Sequence, residues 1–210
     1  MKTLRFLEEL TGEVWTGISF HFETVPDSNP ADGPMRLCEA ISKSFTGTII
    51  LPGKLIRCPG ACRALGLNSS DDDEFAHKIS EKTGIPVGLA SQVIIPIPRL
   101  DKPITAITLG RVGRPDVVIS YPPPKAAMLL VRQWQEVNGA DLDVSLSTFI
   151  AICGNVAVKA FKLQRPRLSL GCPESREYGR IADDRQVFGM PYHQAKQFVQ
   201  ERASNAHIRI

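Results

Sequence analysis

The chain has 210 residues, 43% of them apolar and 22% charged, which supports a buried core, excludes disorder and suits one domain better than two. The net charge of +3 comes from scattered lysines and arginines, with no basic run and no aromatic residues interleaved among them, so nucleic acid is not an expected partner. No apolar stretch is long enough to cross a bilayer, so a membrane is not an expected partner either.

The first ten residues place Leu4, Leu7 and Leu10 at helical spacing. Glu8 and Glu9 stand where a secretory leader needs an apolar core, so the segment predicts an ordinary first helix and a cytoplasmic protein. Val14 to Phe22 alternates as a strand, with Val14, Thr16, Ile18, Phe20 and Phe22 on one side. Pro26 to Pro34 reads as a loop. Met35 to Phe45 has helical spacing, with Leu37, Cys38, Ile41 and Phe45 sharing a face. Thr48 to Leu51 is a short strand stopped by Pro52-Gly53. Cys58 to Gly66 predicts a tight turn and a brief helix closed by Gly66. Ser69 or Ser70 can cap the next helix, which runs to Lys82 and stops at Gly84.

Val93 to Ile97 and Ile104 to Leu109 read as strands, and Asp116 to Tyr121 is the clearest strand in the chain. Pro122-Pro123-Pro124 opens an amphipathic helix with Ala126, Leu129, Leu130, Trp134 and Val137 inward and Gly139 as its cap. Its stripe is core first, with a homodimer face as the alternative. Thr148 to Phe161 predicts a second strong helix. Arg167 to Gly171 and Val187 to Met190 are short strands, and Tyr192 to Ala203 is the last helix. Strands and helices interleave without a regular strand–helix period. The expected fold is one compact α+β (mixed α/β) domain over residues 1–210, a mixed sheet flanked by helices.

Five cysteines carry the chemistry: Cys38, Cys58, Cys62, Cys153 and Cys172. In a reducing compartment they serve as ligands, catalysts or core residues before disulfides. Cys58 and Cys62 lie one helical turn apart, and Cys58-Pro59 and Cys172-Pro173 repeat the cysteine–proline pairing seen at cluster sites. Paired C-x-x-C knuckles, a Walker loop, a dinucleotide fingerprint and H-x-x-x-H spacing are all absent, which argues against a zinc ribbon and a nucleotide site. Cys38 and Cys153 sit on apolar helix faces, where a thiol packs like a small hydrophobe. Arg57, Arg63 and Arg176 flank the cysteines and are the candidates to bind a cofactor or an anion, against the commoner role of surface ion pairing. Glu174 and Glu177 could act as acid or base beside Cys172.

Several motifs together resemble one family. They are Met35-Arg36-Leu37-Cys38-Glu39-Ala40, Arg57 to Gly66, Arg114-Pro115-Asp116-Val117-Val118 with Pro123 to Met128, Ala151-Ile152-Cys153-Gly154, Gly171 to Tyr178 with Asp183-Asp184, and Phe188-Gly189-Met190-Pro191-Tyr192. Over residues 12–203 the chain resembles the domain of unknown function 169 family, uncharacterised proteins of archaea and bacteria. The resemblance implies that Cys38, Cys58, Cys153 and Cys172 occupy the family's recurring cysteine positions, with Cys62 an extra or alternative ligand. Recurring thiols are hard to explain as filler, since small apolar residues replace a packed thiol easily.

The leading expectation is a cysteine-ligated metal or iron–sulfur protein in redox or metallocofactor chemistry, its centre on Cys58, Cys153 and Cys172 with Cys38 or Cys62 as the fourth ligand. The first alternative is an enzyme or carrier for a small anion with one reactive cysteine. The second is a non-catalytic binding or assembly module with structural cysteines.

Overall fold

The computed structural model describes residues 2–24, 30–68, 71–142, 144 and 146–205. Six strands form one antiparallel sheet, ordered β2-β3-β1-β4-β6-β5: β1 (Thr16–His21), β2 (Ile49–Pro52), β3 (Ala106–Gly110), β4 (Val117–Ser120), β5 (Arg167–Ser169) and β6 (Val187–Pro191). The expected α+β architecture is what the chain adopts. Every pairing between named strands is antiparallel, so the sheet is not mixed in direction. Among the described residues, parallel geometry is confined to two isolated bridges, Pro30 with Ile50 and Met35 with Ile56.

Alternation along the strands divides the core in two. Val117 and Ile119 of β4 face one side, where Ile18, Phe20, Leu51 and Ile107 also lie. Val118, Phe188 and Met190 face the other, against Leu4, Leu7, Leu130, Trp134 and Phe198. That second side is covered by α1 (Lys2–Thr11), α6 (Pro124–Asn138) and α9 (Tyr192–Asn205). The α6 stripe therefore packs onto the sheet, with Pro124 in the first turn and Gly139 closing the helix in the left-handed conformation at φ 62. Leu129 and Val137, expected inward, are half-buried.

The first side carries the elements that matter for chemistry: α2 (Leu37–Ser44), α3 (Pro59–Ala64), α4 (Asp72–Thr83), α5 (Val87–Ile94), a π-helix over Ala151–Val158 running into α7 (Lys159–Leu163), and α8 (Pro173–Tyr178). Two local readings change. Val93 to Ile97 is not a strand: Val93 and Ile94 end α5, where Ala90 and Ile94 are buried one turn apart. The N-cap of α4 is Asp71, which accepts from the Glu74 N–H at 2.7 Å. Ser69 and Ser70, read as the caps, lie outside the described residues, as do residues 25–29 of the expected loop. In β1, Thr16, Ile18 and Phe20 are buried as predicted, while Val14 and Phe22 beyond its ends are exposed.

Among the described residues no helix is long and apolar enough to cross a membrane.

Candidate functional site

Proline supplies the local logic at two of the cysteines. Pro59 and Pro173 open α3 and α8, where a fixed φ and a missing N–H cost nothing, and each leaves the preceding cysteine at the N-cap in extended backbone. A sulfur at an N-cap points at free backbone N–H groups. At the start of α3 the backbone N–H groups of Ala61 and Gly60 favour the Cys58 thiolate. Cys172 Sγ accepts from the N–H of Ser175, and Ser175 Oγ accepts from the Cys172 N–H at 2.7 Å, a reciprocal cap.

The other two thiols come from longer elements. Cys38 is the second residue of α2, and its Sγ donates to the Glu174 carbonyl at 3.8 Å, tying α2 to α8. Cys153 lies in the π-helix, which Ile150 enters in the left-handed conformation at φ 48. A π-helix is rare, and single turns of it cluster at functional sites. Cys153 and Cys58 stand together on one cavity and influence each other's acidity.

All four sulfur-bearing residues line one cavity of about 500 Å³. Chain positions 38, 58, 153 and 172 are thus brought together by four separate elements. Cys62 does not line it; its thiol donates to the Ile56 carbonyl at 3.4 Å. Cys38 and Cys153 are as buried as the packed-thiol reading expects, yet both face the cavity.

The thiols differ electrostatically. Interaction with Cys153 lowers Cys58 to about 6, helped by the Ala61 and Gly60 N–H groups and the Arg36 guanidinium and opposed by burial. Cys153, the other member of the pair and buried, is pushed well above the ordinary thiol range. Burial, with Cys58 and Cys172 nearby, pushes Cys38 up to about 12. Cys58 is therefore the thiolate beside the Cys38 and Cys153 thiols. Arg36 is held protonated beside it, stacked 4.2 Å above the Tyr178 ring.

The expected cationic residues are elsewhere. Arg63 is buried, pairs with Asp72 at 2.8 Å and donates to the Ile97 carbonyl at 2.8 Å. Arg176 donates to the carbonyls of Leu170 and Ala182 and so shapes the loop after α8. Arg57 is exposed and near Cys62. The cations that line the cavity are Arg36, Lys78 and Lys82, which the sequence reading missed. Their signals were present: Arg36 is two residues from Cys38, and Lys78 and Lys82 are one turn apart on the face of α4 that carries Phe75 and Ile79. Glu174 does line the cavity, where its ion pair with Lys82 holds its carboxyl below the usual range. Glu177 faces a separate groove beside Glu39 and Lys43.

As they stand, no three His, Cys, Asp or Glu side chains among the described residues are arranged to hold a metal ion.

Fold and site define an α+β protein with a thiol-lined pocket between α2, α3, α8 and a π-helix. The model of the family described as Uncharacterised ArCR, COG2043 (DUF169) matches residues 16–201, and the chain belongs to that family. Among curated proteins and among solved structures, nothing matches the chain.

Proposed function

We propose that this is a cytoplasmic cysteine-ligated iron–sulfur protein in redox or metallocofactor chemistry, with Cys58, Cys153 and Cys172 as ligands and Cys38 as the fourth. The observation that carries the reading is the convergence of four cysteines, from four elements far apart in sequence, on one cavity. A protein that needed one nucleophile would not need the other three there. Packing alone does not explain four cysteines gathered on one cavity.

The form of the centre follows from the donor set. Thiolates select soft metals and clusters. A lone ion needs several donors around one point, and the thiols are not so arranged. A cluster brings its own core of iron and sulfide, which stands between the thiolates and holds them apart. Four thiolates concentrate negative charge, which Arg36, Lys82 and the capping N–H groups of α3 and α8 offset.

The lowering of Cys58 to about 6 at its place on the cavity favours a second reading, in which Cys58 is a single reactive thiolate acting on an electrophile. Anaerobic purification followed by reconstitution with ferrous iron and sulfide separates the two. The cluster reading predicts a brown protein with about four iron and four sulfide per chain. A colourless protein that takes up no iron removes it and leaves the reactive thiol.

A further inference from the structure

The cavity has a wall without cysteines. Phe75, Lys78, Ile79, Lys82 and Thr83 of α4 all line it, at helical positions i, i+3, i+4, i+7 and i+8. A whole helix face is therefore turned toward open space. Phe75 is buried and Ile79 half-buried, while Lys78 and Lys82 are exposed at the mouth. Opposite them, Phe149, Ile150 and Ile152 continue the apolar lining. Cavities of this size ordinarily hold small molecules, with an apolar lining that binds and a few polar groups that orient.

The charged groups at the mouth are unequal. Lys82 is paired with Glu174 and Lys78 with Glu74. Arg36 has no carboxylate partner among the described residues; it lies over Tyr178 and beside Cys58. Three cations thus line the cavity with one acidic side chain, Glu174.

We propose that this cavity takes an organic anion with one acid group and an apolar body of several carbons, the acid held by Arg36 and Lys82 and the body lying against Ile79 and Phe75 of α4. The guanidinium offers parallel donors that match a carboxylate or phosphate, and its stack on Tyr178 holds it in orientation. An entering acid group competes with Glu174 for Lys82. The ligand stands beside the cysteines and needs no cluster for recognition, so it goes beyond the function proposed above.

The test uses hexanoate and hexyl phosphate as probes, with acetate, inorganic phosphate and hexanol as head-only and tail-only controls. Binding is read by titration calorimetry on the full chain, iron-free and iron-loaded. One or both six-carbon anions bind at least about tenfold tighter than every control. Arg36→Gln and Lys82→Gln each weaken that binding several-fold, and Ile79→Ala weakens the six-carbon probes but not the controls. Lys82 is exposed, so its variant folds even if the Arg36 variant does not. Binding no tighter than acetate and hexanol, or unchanged by Lys82→Gln, overturns the proposal. Loss of iron in Cys172→Ser with the anion still bound separates this site from the cluster.

Discussion

Cys153 and Cys58 line the same cavity and act on one another, which drives the two thiols apart in acidity: Cys58 down to about 6, Cys153 up. A coupled pair of this kind has one member charged and one neutral near neutrality.

In iron-free protein the iodoacetamide reaction of Cys58 therefore rises as pH passes about 6 and is flat above it, because the thiolate is the reacting form. Cys38, pushed up to about 12, stays unlabelled at neutral pH. Cys153→Ala removes that partner and moves the Cys58 midpoint upward. Peptide mapping by mass spectrometry reads each site, and equal labelling of Cys38 and Cys58 at pH 7 contradicts the assignment.

Lys82 and Glu174 join the end of α4 to the start of α8 across the cavity mouth. Lys82 is exposed and Glu174 half-buried at the mouth, so the pair contributes about 1 kcal/mol or less to stability. Lys82→Met leaves the Tm nearly unchanged. It raises the Cys58 labelling rate by up to about fivefold, the population change that roughly 1 kcal/mol allows. An unchanged rate shows that α4 does not control entry.

Arg63 clasps both ends of the α4–α5 hairpin, through Asp72 before it and the Ile97 carbonyl after it. Its side chain is 3% exposed and that of Asp72 33%, so the loss falls short of a fully buried pair. Arg63→Ala costs about 2–3 kcal/mol in urea unfolding. Amides of residues 72–94 lose exchange protection first. Uniform loss across the sheet contradicts the clasp.

Much of the fold was legible where one residue decides a conformation. Gly84 and Gly139 both stop their helices in the left-handed region, and Pro124 starts α6. Reading failed where packing decides. Val93-Ile94-Ile95 has the β-branched look of a strand, but Ala90 and Ile94 pack with Phe75 and Ala76 of α4 and hold the segment helical. The predicted helix at Thr148 to Phe161 is a π-helix from Ala151 to Val158 before α7 begins. All eight of its residues are buried, so it has no amphipathic period to read. That Cys38, Cys58, Cys153 and Cys172 deserved notice was legible because their chemistry is rare, while Cys62, picked out on the same ground, does not line the cavity. The arginines were not, since chain proximity to Cys58 or Cys172 says nothing about where a long side chain points.

Gly154 marks how tightly the π-helix meets the hairpin. A Cβ there would lie 2.5 Å from Ile97 Cγ2 and 2.8 Å from Ile150 Cγ2. Gly154→Ala destabilises by about 1–3 kcal/mol, read from urea unfolding. A neutral effect shows that Ile97 gives way freely.

The direct test of the shared centre is iron content per chain across five single serine variants, each reconstituted anaerobically in parallel. Cys58→Ser, Cys153→Ser and Cys172→Ser lose most of the iron, Cys38→Ser loses part or all of it, and Cys62→Ser keeps the full amount, since Cys62 lies outside the cavity. Equal iron in all five, or loss in Cys62→Ser alone, contradicts a centre held in this pocket.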